Sequence, residues 1–268
     1  MTFHIRDQRS DTMDPVRIYF VGTAGSGKST LTQAFKLWMD EHGLNAITVN
    51  LDPGADELGY VPNVDIRDWI SVPEVMKEQG LGPNGAQIAC ADIAAIQFPE
   101  IAKVIEEFRA DYVLIDTPGQ IELFAFREAS SIFLNAFPTD RNLILFVLDP
   151  AVAKRPSGLV SLLLLSSSIQ FRFDSPMDLV LGKIDLLEED EAEEILAMAT
   201  DPYRLQDMLS SGEMNMQAIS ASEFLRAMES LGVSKVPKLV SSMEMYGIED
   251  LYNTIQQYFY GGEDLRPD

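Results

Sequence analysis

Residues 22–29 restrict the possible folds of this chain more than any other segment, because their spacing fits a phosphate-binding loop. The pattern is Gly-x-x-x-x-Gly-Lys-Ser, with an apolar run before it and a helical pattern after it. Glycines allow a tight turn whose amides point at phosphate oxygens, and a helix amino terminus adds positive potential. We therefore predict a strand, a nucleotide-binding loop and a helix in succession. The candidate binding residues are Gly22, Thr23, Ala24, Gly25, Ser26, Gly27, Lys28, Ser29 and the next residue, Thr30.

The rest of the chain alternates short apolar runs with longer helical patterns, which is typical of a parallel sheet covered on both faces. We predict an α/β fold, a doubly wound and mostly parallel sheet flanked by helices. The predicted strands are 16–21, 46–50, 112–115, 143–148 and 177–181. The predicted helices are 28–41, 99–109, 126–137, 157–171 and 248–259, with Pro99 in a first turn.

A single P-loop domain is expected over residues 15–262, between a polar tail at 1–14 and a short tail at 263–268. Met13 lies just before the first apolar run and is an alternative start of translation. Residues 188–232 form a predicted helical insert, whose acidic start suits the amino-terminal end of a helix dipole.

Composition excludes several classes of function. The chain has 20 Lys and Arg against 42 Asp and Glu, a net charge of −22, which disfavours non-specific binding to nucleic acid. A single cysteine, Cys90, cannot form an intramolecular disulfide. The longest apolar stretch, near residues 159–165, is far shorter than the ~20 residues that span a bilayer. We expect a cytoplasmic protein that has no membrane partner.

A magnesium site is predicted beside the phosphate-binding loop. Lys28 is expected to reach the β and γ phosphates, and Ser29 to offer its hydroxyl to Mg²⁺. Mg²⁺ keeps several waters, so one or two further carboxylates suffice to hold it. Asp52 and Asp116 each end a predicted strand, where open α/β sheets place their ligands. Both are therefore metal candidates.

Residues 116–120 read Asp-Thr-Pro-Gly-Gln, the Asp-x-x-Gly segment expected of a GTPase. The Gly119 amide can meet a γ-phosphate oxygen and sense its loss. The carboxamide of Gln120 can orient the attacking water without acting as a strong base. Asp116 and Gln120 are accordingly catalytic candidates.

The base is predicted to be guanine. Lys183 and Asp185 follow a predicted strand as Lys-x-Asp, and a carboxylate accepts two hydrogens that guanine presents and adenine lacks. The preceding Gly182 stands where GTPases usually carry Asn, Thr or Ser, so guanine selectivity is expected to be weaker. Ser241 and Ser242 resemble the Ser-Ala element that supports guanine through backbone amides. Residues 219–221, Ile-Ser-Ala, are a less favoured alternative because they lie in the helical insert.

The segment Gly82, Pro83, Asn84 resembles the motif that names the GPN-loop GTPases. Four other segments occur in the order and approximate spacing of that family: 50–53, 60–62, 65–68 and 116–120 with Glu122. The resemblance runs from about residue 16 to 259. Gly54 departs from the Ala that is common after Asp-Pro.

This resemblance implies a homodimeric GTPase of the SIMIBI class that uses GTP and Mg²⁺. The Gly-Pro-Asn loop of one subunit would enter the phosphate site of the other, where the Asn84 amide can donate without adding charge. Asp116, Gln120 and Glu122 would position the attacking water, and Asp52 would bind magnesium through water. Eukaryotic members are associated with RNA polymerase assembly, so an assembly complex is a candidate partner.

Two alternatives stay open. One is an ATP- or GTP-dependent phosphotransferase similar to a polynucleotide kinase, which requires a pocket for a hydroxyl acceptor. The other is a nucleotide-gated scaffold in which turnover is only a slow reset. Gln120 and the Lys-x-Asp element favour water and GTP over the first alternative.

Overall fold

The structure is a computed structural model. It describes residues 14–121, 132–133, 136–137, 141–173, 175–210, 216–230 and 236–261. The predicted tails at 1–14 and 263–268 therefore lie almost entirely outside the described residues, as do Glu122 and most of the predicted helix at 126–137.

A seven-stranded sheet forms the centre of the molecule, and every pair of neighbouring strands is parallel. The strand order is β3-β2-β4-β1-β5-β6-β7, which confirms the predicted doubly wound topology. The five predicted strands are present, whereas β3 and β7 are two-residue edge strands too short to show a sequence pattern. The bounds are β1 Val16–Gly22, β2 Ala46–Asn50, β3 Val64–Asp65, β4 Tyr112–Asp116, β5 Asn142–Leu148, β6 Met177–Leu181 and β7 Lys238–Leu239.

Helices cover both faces of the sheet. Side chains alternate along the central strand, so that Ile18 and Phe20 join one apolar cluster while Tyr19 and Val21 join the other. The first cluster lies under α1 and α9, and the second lies under α3, α5 and the insert helices. The bounds are α1 Lys28–Glu41, α2 Val72–Gln79, α3 Pro83–Glu107, α4 Pro150–Ala153, α5 Pro156–Arg172, α6 Glu189–Thr200, α7 Pro202–Ser210, α8 Met216–Ser230 and α9 Ile248–Tyr260.

Helix α3 corrects the sequence prediction. It begins at Pro83, with Gly82 as its N-cap, and continues through Pro99 to Glu107. The predicted start at Pro99 is wrong, and the expected Gly-Pro-Asn loop is the first turn of this helix. Alanines that favour helix and pack on the sheet occupy the segment between the two prolines, and Phe98 and Ile101 are buried on either side of Pro99. This packing offsets the one backbone hydrogen bond that Pro99 cannot donate.

Between β6 and β7 the chain forms α6, α7 and α8. Helix α6 begins with a capping box in which Glu188 and Glu191 bond to each other's backbone amides. Its first turn is acidic, as the dipole argument predicted. In the part of the chain that the structure describes, no helix combines the length and the apolar character required to cross a bilayer.

Candidate functional site

The loop after β1 has the backbone geometry of a phosphate cradle. Gly25 and Gly27 have positive φ angles of 77° and 99°, which glycine adopts without strain. Gly22 has to be small for another reason, because a Cβ on it would lie 2.6 Å from the carbonyl oxygen of Val147. The Lys28 side chain is buried and donates to the carbonyls of Gly22 at 3.1 Å and Thr23 at 3.0 Å. The lysine thus stays inside the loop, while Ser29 and Thr30 follow in the first turn of α1.

Asp116 ends β4, beside the strand that leads into this loop, and its side chain is 1% exposed. Its Oδ2 accepts a hydrogen bond from the Tyr60 hydroxyl at 3.2 Å. Its Oδ1 is buried and has no hydrogen-bond partner among the described residues. Burial raises the pKa of Asp116 to about 6, although Ser29, Lys28 and Tyr60 each favour its charged form.

Asp52 connects two segments of the site. Its Oδ1 accepts from the Gly54 amide at 2.9 Å, and its Oδ2 accepts from the Gly119 amide at 3.2 Å. Asn50 stabilises this turn, because its Oδ1 accepts a hydrogen bond from the Asp52 amide at 3.0 Å. The loop after β2 and the Asp-x-x-Gly segment after β4 are therefore joined through one carboxylate.

The residues present fit a hydrated Mg²⁺. Two carboxylates, Asp52 and Asp116, interact electrostatically with each other and with Lys28, and Asp116 has a buried oxygen to spare for a cation or its water. Among the described residues, no group of three His, Cys, Asp or Glu side chains is arranged to hold a metal without further ligands. This donor set therefore suits a cation that also takes water and phosphate oxygens rather than a closed metal site.

Gln120 lies at the edge of the site, where its Nε2 donates to the Oε1 of Gln87 at 2.6 Å. Gln87 belongs to the first turns of α3, the same helix that begins with the Gly-Pro-Asn motif. Gly82, Pro83 and Asn84 themselves are exposed to solvent in the single chain. Glu122, the remaining catalytic candidate, lies outside the described residues.

Lys183 and Asp185 lie at the end of β6, close to the phosphate-binding loop. Lys183 adopts a left-handed backbone conformation, with φ 55°, and its ammonium donates to the carbonyl of Gly25 and to Asp149. Its aliphatic stem lies across Gly27, since a Cβ there would come within 3.2 Å of Lys183 Cε. The lysine thus covers one side of the phosphate-binding loop.

Ser241 differs from its expected role. Its hydroxyl donates to Asp185 Oδ1 at 2.7 Å, so it orients the carboxylate that is predicted to read the base. Its backbone amide donates to the carbonyl of Tyr246 at 3.1 Å. Ser242 is therefore the better candidate for an amide contact with the base. The alternative segment 219–221 lies within α8, as expected.

The structure also gives a reason for Gly182. A Cβ on this residue would lie 3.2 Å from Val147 Cγ1 and 3.4 Å from the Ser26 carbonyl oxygen. The phosphate-binding loop and β5 are therefore packed closely against the position where other GTPases carry a larger residue. Glycine allows this approach.

Three residues of the site were not predicted: Tyr60, Gln87 and Asp149. Asp149 directly follows β5 and is the N-cap of α4, so the rule that singled out Asp52 and Asp116 at strand ends would also have found it. Tyr60 lies in segment 60–62, which resembles the family, but the resemblance implies no role for it. No sequence pattern marks Gln87, because its contact with Gln120 joins residues 33 positions apart.

A parallel sheet whose central strand runs into a Gly-x-x-x-x-Gly-Lys-Ser loop, with acidic residues at neighbouring strand ends, defines a P-loop nucleoside triphosphatase. A family profile described as "conserved hypothetical ATP binding protein" matches residues 20–261. The chain is also 33% identical to a GPN-loop GTPase of Pyrococcus abyssi over 250 residues, or 92% of this chain and 99% of that protein. The chain belongs to the GPN-loop GTPases, and its enzyme class is that of a GTP hydrolase.

Two further comparisons agree with this assignment. A solved structure of a GTPase from Pyrococcus abyssi in its apo form has a TM-score of 0.82, with 33% identity, covering 91% of this chain and 98% of that one. GPN-loop GTPase 1 of Dictyostelium discoideum is 33% identical over 234 residues, which are 83% of this chain but 58% of that protein. The chain thus spans little more than half of the Dictyostelium relative.

Proposed function

We propose that this chain is a magnesium-dependent GTPase that acts as a homodimeric switch in the cytoplasm. The proposal rests mainly on one observation: four groups lie near one another at the carboxyl ends of β1, β2 and β4. These groups are the side chains of Lys28, Asp52 and Asp116 and the backbone amide of Gly119. A cation, two carboxylates and a backbone donor thus lie near one another at one edge of the sheet. GTP hydrolysis uses each of these parts.

Magnesium would be held by the Ser29 hydroxyl and by Asp52 and Asp116, in part through water. When bound, the ion would neutralise charge on the β and γ phosphates. Asp52 Oδ2 accepts a hydrogen bond from the Gly119 amide at 3.2 Å. A γ-phosphate would compete with Asp52 for that amide, which gives the Asp-x-x-Gly segment a means to sense the nucleotide state.

Hydrolysis requires a water placed in line with the γ-phosphorus. Gln120 would orient this water, with Asp116 and Glu122 nearby as candidates to assist. The water oxygen forms a bond to the γ-phosphorus while the bond from that phosphorus to the bridging oxygen breaks. GDP leaves, and the proton of the water is released to phosphate or solvent. Gln120 needs only to accept a hydrogen bond in this step, because a carboxamide is not a base.

Guanine is the base that we propose, although the matching family profile is described by ATP. Ser241 orients the Asp185 carboxylate at 2.7 Å, and a carboxylate can pair with two donors on the guanine edge. Adenine presents no such pair, and leaving a carboxylate unpaired costs binding free energy. Lys183 and Ser242 would complete this end of the site.

The homodimer is proposed for the Gly82, Pro83 and Asn84 segment. These residues are exposed at the start of α3, so they are available to a second subunit. The Asn84 amide can donate to phosphate or to a metal-bound water of the partner site without adding charge. A closed dimer completed by nucleotide would be suited to the assembly of a protein complex, with α6, α7 and α8 as the candidate surface for a client.

The first test compares phosphate release from Mg-GTP and Mg-ATP by purified protein and by Gln120→Ala. The proposal predicts preference for GTP, dependence on Mg²⁺ and a loss of about 10²-fold in kcat for the variant. Activity that requires an added hydroxyl acceptor would instead establish a phosphotransferase. Tight GTP binding with negligible release in both proteins would establish a scaffold.

The second test asks whether Asn84 acts in the partner's site. Asn84→Ala lacks the loop side chain, and Lys28→Ala lacks a functional phosphate site. If the loop acts in trans, an equimolar mixture of the two inactive variants forms mixed dimers and recovers about a quarter of parental activity. If Asn84 acts within its own subunit, the mixture stays as inactive as its components.

A further inference from the structure

Gln87 touches two nucleotide-sensing segments of the site. Its Oε1 accepts a hydrogen bond from Gln120 Nε2 at 2.6 Å. On its other side, Gln87 Nε2 lies 3.0 Å from the place that a Cβ on Gly54 would occupy. The side chain therefore lies between the loop after β2 and the segment after β4, and it belongs to helix α3 rather than to either loop.

The direction of the hydrogen bond from Gln120 has a chemical consequence. A glutamine carboxamide has an accepting end and a donating end of nearly the same shape. To hold an attacking water by one of its hydrogens, Gln120 has to present its oxygen. The Gln87 oxygen is the acceptor beside that nitrogen, and the opposite orientation of Gln120 would bring two oxygens together.

We propose that Gln87 is a positioning residue for hydrolysis, which fixes the carboxamide of Gln120 with its oxygen directed to the attacking water. This inference rests on the proposed role of Gln120 in GTP hydrolysis. Gln87 itself contacts neither the water nor the phosphate in this assignment. Its effect reaches the reaction only through Gln120.

Gly54 supports this assignment. The residue departs from the Ala that is common after Asp-Pro in the family that the chain resembles. An added methyl group would press on the Gln87 amide at 3.0 Å and displace it by a few tenths of an ångström. Glycine at position 54 therefore leaves space for glutamine at position 87.

The experiment is steady-state GTP hydrolysis by Gln87→Leu and Gln87→Glu, each made in the parent and in Gln120→Ala. Leucine removes the acceptor, whereas glutamate retains one. We expect Gln87→Leu to lower kcat about tenfold with KM changed less than about twofold, because only the transition state uses the oriented water. Gln87→Glu should recover most of the loss. Gln79→Leu, the same change at an exposed site on α2, is the matched control and should keep parental turnover.

The Gln120→Ala background separates a positioning role from a packing role. If Gln87 acts through Gln120, then Gln87→Leu causes no further loss once Gln120 is absent. An equal tenfold loss in the parent and in Gln120→Ala would overturn the assignment. Parental kcat in Gln87→Leu, or equal defects in the leucine and glutamate variants, would also overturn it.

Gly54→Ala tests the contact between positions 54 and 87. This change should lower kcat about threefold in the parent and leave the kcat of Gln87→Leu unchanged. A loss in both the parent and Gln87→Leu contradicts the link between these residues.

The same data distinguish failure of this inference from failure of the proposed function. Parental turnover in Gln120→Ala would remove the proposed water-positioning role of Gln120, and the role of Gln87 with it. A strong defect in Gln120→Ala beside parental turnover in Gln87→Leu would remove the role of Gln87 alone.

Discussion

The two ends of the nucleotide site handle charge differently. At the phosphate end, Lys28 is 5% exposed and Asp116 is 1% exposed. At the base end, the Lys183 side chain is 34% exposed, and Asp185 lies at the surface beside Ser241. Burial lowers the pKa of Lys28 and raises that of Asp116. In the proposed function, the buried charges at the phosphate end would interact strongly with the ligand, whereas the more exposed groups at the base end would make weaker contacts that select it.

The largest effect is expected from Asp116→Asn, which removes a buried charge from the phosphate end. We expect turnover of GTP to fall about 10³-fold, because the metal site and the water both lose this carboxylate. Phosphate release in single turnover measures it. Asp40→Asn, in an exposed ion pair with Lys36 on α1, is the control and should keep parental activity. A loss of turnover below about tenfold in Asp116→Asn would mean that the burial of a charged group does not determine how much it contributes to hydrolysis.

Asp185→Ala tests the base end. The expected result is a loss of about 10²-fold in the preference for GTP over ATP, with kcat for bound GTP within a few-fold of the parent. Competitive binding of the two nucleotides measures the preference. Ser241→Ala removes only the hydroxyl that orients the carboxylate, so a smaller loss of about fivefold is expected. Equal losses in kcat and in the preference for GTP over ATP would show that the base end does not act mainly in selecting the ligand.

The burial of Asp116 also leads to a prediction about the pH dependence of the free energy of unfolding. Burial raises the pKa of this carboxyl group to about 6 in the folded protein, above its usual 3.8, so folding favours the protonated form. The stability that this carboxyl group contributes is therefore fully present below about pH 4 and is lost as pH rises through about 6. Asp116→Asn, which is neutral throughout, should have a free energy of unfolding ~3 kcal/mol higher than that of the parent at pH 7.5. Denaturant unfolding at pH 7.5 and pH 5 measures this difference, which should shrink at the lower pH.

A smaller effect on turnover than that of Asp116→Asn is expected from Tyr60→Phe. Burial raises the pKa of Tyr60, so its hydroxyl stays protonated and donates to Asp116. Loss of one such bond costs ~1 kcal/mol, which corresponds to about fivefold in turnover. Tyr258→Phe removes a similar phenol–carboxylate bond, to Asp178, far from the nucleotide loop, and should not change turnover. An unchanged rate of GTP turnover in Tyr60→Phe would mean that only the charged groups of the phosphate end contribute to hydrolysis.

Sequence patterns predicted the elements that carry strong local rules. The phosphate-binding loop, five strands and α1, α5 and α9 follow from glycine spacing and apolar periodicity, and the structure has them within one or two residues. The start of α3 was missed because Pro99 is a common first-turn residue, and the alanine-rich segment before it has little amphipathic pattern. The edge strands β3 and β7 were missed because two residues show no period.

The sequence by itself determined three features: the phosphate-binding loop, the acidic residues that follow the strands, and the Gly-Pro-Asn segment. Each depends on residues that are neighbours along the chain, so local backbone chemistry is enough to specify it. The contacts that join distant segments were decided by the tertiary structure. Asp52 meets Gly119, Tyr60 meets Asp116 and Gln87 meets Gln120 only because parallel strands bring their carboxyl ends to one edge of the sheet. No local pattern encodes such pairs, since each depends on how the helices pack across the sheet.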